Sequence, residues 1–158
     1  MRAAALAAAL ALALPAAPAA ALDCPPTPAA AEALRTDFAV ALDRLRGGED
    51  LAPVPRAPRI EAAAQDWAGR LAAMERLSHR DAEGRGVGDR LTAAGVAWRF
   101  AAENLAAGDL PDAAALLALW VESPAHRRNL LAPEAARHGL GAACDGRGRP
   151  VFALMLAG

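Results

Sequence analysis

Apolar residues recur three or four positions apart in two stretches of the N-terminal half, which is the spacing of one helix face. They are Leu34, Phe38, Ala41, Leu42 and Leu45 in the first stretch, and Ile60, Ala64, Trp67, Leu71 and Met74 in the second. Gly47 and Gly48 follow Arg46 at the end of the first stretch, and a proline-rich linker, Glu49 to Pro58, separates the two stretches. The pattern therefore predicts two amphipathic helices, the first of them over Pro28–Arg46.

Shorter elements follow a glycine-rich loop, Gly84–Gly88. A short helix is predicted over Asp89–Ala94 because Gly95 can end it, and residues 96–105 are predicted to be extended. The glycine loop follows no predicted strand and lacks the spacing of a phosphate-binding motif. A nucleotide-binding fold is therefore not predicted.

Two helices and a hairpin are predicted for the rest of the chain. Pro111 opens a helix that must end before Pro124, and Pro124 opens a second helix that runs to about Leu131. Two strands, Gly139–Cys144 and Pro150–Ala157, flank an Asp-Gly turn signal. This order of elements favours an α+β fold of packed layers over a doubly wound parallel sheet.

The N-terminus has the pattern of an export signal. Met1-Arg2 is followed by an Ala/Leu run and by small residues up to Ala21, where cleavage is predicted. The apolar run is too short for a membrane span, and no later stretch reaches about 18 uninterrupted apolar residues, so no transmembrane anchor is predicted. We expect a signal peptide over residues 1–21, a tail over 22–33, one domain over 34–158, and a secreted or periplasmic location.

Charge and cysteine content narrow the partners and the covalent links. The formal net charge is −1 and the basic residues are scattered among acids, so nucleic acid is not an expected partner. The two cysteines, Cys24 and Cys144, form an even count in an exported chain, which favours a disulfide between them. Lipidation of Cys24 is the alternative, although the charged Asp23 stands where a lipoprotein site has a small residue.

Three short blocks hold all the Ser and Asn side chains of the chain, each beside a His or a Glu. The blocks are Leu77-Ser78-His79-Arg80-Asp81, Ala102-Glu103-Asn104-Leu105-Ala106, and Trp120-Val121-Glu122-Ser123-Pro124-Ala125-His126-Arg127-Arg128-Asn129-Leu130-Leu131. In order and separation they resemble the Ser-His, Glu-Asn and Trp-x-x-Ser-Pro-x-His-Arg-x-Asn motifs of the bacterial secreted branch of the CAP superfamily, whose module is also called the SCP domain. The resemblance covers roughly Leu34 to Gly158.

The resemblance implies a three-layer α-β-α sandwich with a small antiparallel sheet, and a cleft lined by two histidines and by acidic residues. By position these residues are His79, Glu103 and His126. The family position that often holds a second acid is occupied by Ser123 in this chain. Glu122 precedes it and is only a weak further candidate, because one helix step of about 100° could point its side chain out of the cleft.

The other polar residues of these blocks are interpreted as structural. Asn104 and Asn129 are expected to fix loops by hydrogen bonds, and Ser123 to cap the helix that Pro124 opens. His138 matches no ligand position and is interpreted as a surface or strand-entry residue.

The chemistry of His79, Glu103 and His126 leaves several functions open. Two imidazoles and a carboxylate suit a weak or transient Zn²⁺ site with water in the fourth position, and a polar network without metal is the alternative. The resemblance favours a binding or interaction module for a protein, glycan or lipid ligand. A metal-dependent hydrolase using the same three residues and a structural envelope protein are the alternatives, so whether the chain is an enzyme stays open, with the balance against it.

Overall fold

The computed structural model describes residues 24, 26–74, 76–110 and 112–158, and the predicted signal peptide lies outside the described residues. In chain order the elements are α1 Pro28–Gly47, α2 Pro58–Ala72, α3 Val87–Ala93, β1 Ala101–Ala107, α4 Ala113–Glu122, α5 Pro124–Leu130, β2 Arg137–Cys144 and β3 Pro150–Ala157. This is the order of elements that the sequence predicts. Among the described residues, no helix has both the length and the apolar character needed to cross a membrane.

The three strands form one antiparallel sheet in the order β1-β3-β2. Every residue of the central strand β3 is buried, and its side chains alternate between two cores. Phe152, Leu154 and Leu156 enter the core of α1 and α4, whereas Val151, Ala153 and Met155 enter the core of α2 and α3. Helices therefore cover both faces of a small sheet, which confirms the predicted α-β-α sandwich.

Two glycines of β2 let helix α2 lie directly on the sheet. A Cβ atom at Gly139 would overlap the backbone of Glu61, and one at Gly141 would overlap the backbone of Ala64. The Gln65 side chain of α2 also donates to the carbonyl of Ala142 at 2.8 Å. Because neither glycine has a side chain, helix and strand approach more closely than side-chain packing would allow.

Helix α1 holds the end of α5 in place through a buried arginine. Arg46 is 1% exposed, and its guanidinium donates to the carbonyls of Leu130 at 2.8 Å and Ala132 at 3.1 Å. Burial lowers the pKa of Arg46, but its hydrogen bonds compensate part of the desolvation cost. The C-terminal end of α5 is thereby fixed against α1.

The disulfide predicted from the cysteine count is confirmed. Cys24 and Cys144 are bonded with their Cα atoms 5.7 Å apart, so the start of the described chain is attached to the end of β2. Helix α1 begins at Pro28, within the segment predicted as a tail, and Thr27 caps it by accepting a hydrogen bond from the Ala30 amide. The tail and the first turns of α1 are thus tied to the sheet.

Some element boundaries differ from the predicted ones. β1 begins at Ala101 rather than at Val96, because the Val96 amide still bonds to the end of α3 and the indole of Trp98 donates to Thr92. α4 begins at Ala113, and Asp112 is its N-cap, accepting from the Ala115 amide at 2.8 Å; the predicted opening residue, Pro111, lies outside the described residues.

Two side chains also differ from their interpretation. Ser123 is the N-cap residue of α5, but its hydroxyl makes no capping hydrogen bond. His138 is at the start of β2 but is 1% exposed, because the linker before α2 pairs with it: the His138 amide donates to Pro55, and its ring bonds to the Val54 carbonyl. The surface interpretation of His138 was wrong.

Candidate functional site

His79 lies in the loop between α2 and α3, Glu103 in β1, and His126 in α5. These three segments meet at the outer edge of β1. β1 is an edge strand of the sheet, and side chains of α4 and α5 bond to its outer carbonyls. Asn129 donates to the carbonyl of Glu103 at 3.2 Å, and Trp120 donates to that of Leu105 at 3.1 Å. These contacts satisfy edge groups that a partner strand would otherwise bind.

Two asparagines position His126 beside this edge. Asn104 is fully buried; its amide donates to the backbone carbonyl of His126 at 3.1 Å, and its oxygen accepts from Asn129 at 2.8 Å. Asn104 and Asn129 therefore fix the backbone of α5 to β1, and the His126 side chain is half-buried.

Glu103 is a buried carboxylate whose two oxygens are both bonded. The side chain is 2% exposed, its Oε1 lies 2.9 Å from Nδ1 of His79, and its Oε2 lies 2.6 Å from Nη2 of Arg90. A carboxylate only accepts, so His79 donates through Nδ1–H, and its Nε2 is the acceptor of the neutral ring. The imidazole of His79 is 61% exposed, so Glu103 orients a ring that faces solvent.

Arg90 of α3 is the residue of this site that sequence reasoning missed. Its guanidinium donates to Glu103 and to the His79 carbonyl at 3.1 Å, and it stacks 3.8 Å from the centre of the Trp67 ring. A carboxylate flanked by apolar residues in a strand does signal a buried cation partner. The sequence could not say which of its 17 basic residues that partner is.

The environment of His126 favours its neutral form. Burial lowers the pKa of His126 below its ordinary value, and the positive charge of protonated His79 lowers it further. The His126 ring is therefore more often neutral at pH 7 than an isolated histidine would be. A neutral imidazole can accept a hydrogen bond or bind a metal, whereas a charged one cannot.

A shallow cavity of about 360 Å³ is lined by His79, Phe100, Glu103 and Asn129. We call this cavity the β1-edge cleft; His126 does not line it, but lies close enough to His79 for the charge of that ring to lower the pKa of His126. Glu122 is exposed and lines a neighbouring groove instead, together with Arg127 and other residues of α5. The structure thus brings His79 to Glu103 and His126 near them, and does not bring Glu122 into the cleft.

The contacts of Glu103 test whether the residues fit a metal. Within the described part of the chain, no group of three His, Cys, Asp or Glu side chains lies close enough to hold an ion. Both Glu103 oxygens are already bonded, so Glu103 does not fit the ligand role that the sequence suggested. What does fit is a carboxylate behind a histidine, which in metal sites orients the ring so that its other nitrogen can bind.

The match to a family model places the chain in a known class. Residues 41–156 match the model of CAP, the Cysteine-rich secretory protein family, so the chain belongs to this family. No curated protein sequence matches the chain at a significant level. The resemblance read from the three blocks is therefore confirmed.

Solved structures with the same fold are found in several bacteria. An outer surface protein of Borrelia burgdorferi has a TM-score of 0.70 and 17% identity over 77% of this chain and 90% of its own. An extracellular SCP-domain protein of Bacillus anthracis has a TM-score of 0.66 and 22% identity over 83% of this chain and 43% of its own. A cysteine-rich secretory protein of Staphylococcus aureus has a TM-score of 0.58 and 15% identity over 78% of this chain and 38% of its own.

Proposed function

We propose that this chain is an exported binding module that presents the oriented imidazole of His79, with His126 beside it, to a protein, glycan or lipid outside the cell. The observation that carries this proposal is the position of Glu103. Its charge is buried and engaged by Arg90 and His79, so it serves to hold the cleft rather than to react.

The same contacts argue against a hydrolase. A general base must reach the proton that it abstracts and exchange that proton with water. Glu103 is 2% exposed, and both of its oxygens are already bonded, one to Arg90 and one to His79. Glu122 offers no second carboxylate in the cleft, since it lines the neighbouring groove. Among the described residues the cleft therefore has no free carboxylate to act as a base, which leaves only Nε2 of His79 or the His126 ring for that role, on a shallow and open surface that suits binding better than turnover.

The cleft could also hold a divalent metal weakly. We infer that His79 through Nε2 and His126 would be the protein ligands, with Glu103 orienting His79 and water completing the coordination. Such an ion would give the cleft a positive charge to which anionic groups of a ligand can bind. Two protein ligands alone imply weak affinity.

Export is supported by three observations. The N-terminal residues have the pattern of a signal peptide, and the chain carries a disulfide, which persists in oxidising compartments. One structure of the same fold is named an outer surface protein and another an extracellular protein.

The proposal is tested on the mature, disulfide-bonded chain and three variants, His79→Ala, His126→Ala and, as the exposed control, Glu122→Ala. We expect Zn²⁺ binding in calorimetry at pH 7.5 that either histidine variant abolishes and the control keeps, and that weakens as the pH is lowered because protons compete with the metal for ligand nitrogens. Chemical-shift mapping with glycan oligomers and lipid vesicles should move signals of Gly86 and Val87, which line the cleft and not the groove of Glu122.

The competing hydrolase predicts a different result. If esters, peptides or glycosides are turned over by the wild type, and the two histidine variants lose that turnover while Glu122→Ala keeps it, the cleft is catalytic. The binding proposal predicts turnover no faster than buffer in all four proteins.

A further inference from the structure

A second cavity, of about 360 Å³, lies between α2, α3 and the loop that precedes α3. We call it the α2–α3 pocket. Its apolar wall consists of Trp67 and four alanines, Ala62, Ala63, Ala93 and Ala94. Because these side chains are small or flat, the pocket has room for a compact apolar body.

The charged residues at its rim are already paired. Arg70 lies 2.9 Å from Asp66, one turn away in α2, and Arg85 lies 2.8 Å from Asp81 in the loop before α3. Both are ion pairs. Asp89 accepts a hydrogen bond from the Gly86 amide at 2.8 Å. The rim therefore offers balanced charges, which does not favour an ionic ligand.

Two residues that line the pocket each have a buried N–H group with no acceptor. Nε1 of Trp67 and Nε of Arg90 are buried and lack a hydrogen-bond partner among the described residues. The two side chains are stacked, with the guanidinium 3.8 Å from the centre of the indole ring. A buried donor without an acceptor is costly, so these two adjacent donors identify what the pocket lacks, which is an acceptor.

We propose that the α2–α3 pocket binds a small neutral carbonyl compound with an apolar body, whose oxygen accepts from Trp67 Nε1–H and Arg90 Nε–H. A carbonyl oxygen has two lone pairs and no hydrogen, which matches two donors. Both N–H groups are buried, so the oxygen reaches them only when side chains at the pocket surface move aside as the ligand enters.

This site is separate from the β1-edge cleft, although Arg90 contributes to both. Arg90 holds Glu103 through Nη2, whereas the proposed ligand takes Nε, so the two bonds are compatible. Binding in the α2–α3 pocket therefore does not require His79.

The test follows the indole N–H signals of the ¹⁵N-labelled mature chain during titration with cyclohexanone, acetanilide and camphor. These probes each combine one carbonyl with an apolar body. We expect at least one of them to shift the Trp67 signal saturably while the signals of Trp98 and Trp120, whose indoles already have acceptors, stay in place.

Variants make the assignment specific. Ala63→Leu fills the pocket and should abolish the shift. Trp67→Phe removes one donor and should weaken binding about tenfold, a change worth roughly 1.4 kcal/mol. His79→Ala should leave binding in the pocket unchanged. The proposal is overturned if no probe gives a saturable shift, if Ala63→Leu responds like the wild type, or if the Trp67 signal reports exchange with an ordered water only.

Discussion

Replacing Glu103 by glutamine should destabilise the protein strongly, although Glu103→Gln changes the shape of the side chain very little. The wild-type carboxylate is 2% exposed and balances the charge of Arg90, which is 11% exposed. Removing one partner of a buried ion pair leaves the other charge uncompensated and typically costs about 3 to 5 kcal/mol. The amide can still accept from Arg90, so we expect a loss of about 2 to 4 kcal/mol, out of the roughly 5 to 15 kcal/mol of an ordinary domain.

The assay is urea unfolding of the disulfide-bonded chain at pH 7.5, with Glu122→Gln as the matched control. Glu122 is exposed, and such substitutions usually change the free energy of unfolding by less than about 0.5 kcal/mol. Replacing both Arg90 and Glu103 by apolar residues of similar size should cost less than Glu103→Gln alone, because no buried charge remains unpaired. If Glu103→Gln unfolds within about 1 kcal/mol of the wild type, the buried pair does not stabilise the site.

Three further predictions concern other parts of the fold. Burial lowers the pKa of His138 below the ordinary value of 6.5. The neutral ring therefore contributes its full stability above pH 6.5, and this contribution is lost as the pH falls from there through the lowered pKa. Urea midpoints measured from pH 8 to 5 should show this loss, and His138→Gln should flatten the pH dependence. Gly141→Ala should cost at least about 1 to 3 kcal/mol in urea unfolding because α2 must move off the sheet, whereas Gly146→Ala, with open space at its Cβ, should cost under about 1 kcal/mol. Reducing the bond between Cys24 and Cys144, which are 120 positions apart, should lower the free energy of unfolding by roughly 4 to 5 kcal/mol, and an unchanged urea midpoint after reduction would contradict this.

The order of elements could be predicted because each one carries its own local pattern. The helical spacing of Leu34, Phe38 and Leu42 and the turn signal between β2 and β3 depend on neighbouring residues alone, and both predictions agree with the structure. The start of β1 was missed for a tertiary reason. The Val96 amide bonds to Leu91 of α3 and the Trp98 ring lies over Gly88, and no local pattern contains the contact of Trp98 with Gly88.

The residues of the candidate site likewise include some that the sequence predicted and one, Arg90, that it did not. The motif blocks pointed to His79 and Glu103, which the structure brings into contact, and to Asn104 and Asn129, which hold α5 on β1. The role of Arg90 depends on long-range packing against Trp67 and Glu103, so no spacing along the chain reveals it.

His138 shows the opposite error, in which a polar residue type suggested exposure. Its burial arises because the linker before α2 pairs with β2 and places the Val54 carbonyl against the ring. The pairing joins segments that are far apart in the chain, and a sequence pattern cannot supply it.

The central claim is that Glu103 holds and orients the His79 imidazole instead of reacting, and the tautomer of His79 tests it most directly. A long-range ¹H–¹⁵N NMR spectrum at pH 8 should show His79 of the wild type with its proton on Nδ1, because a buried carboxylate accepts that proton's hydrogen bond. In Glu103→Gln the amide can donate to Nδ1 while its oxygen faces Arg90, so the proton should move to Nε2. A wild-type His79 with its proton on Nε2, or a tautomer that does not respond to Glu103→Gln, would contradict the account.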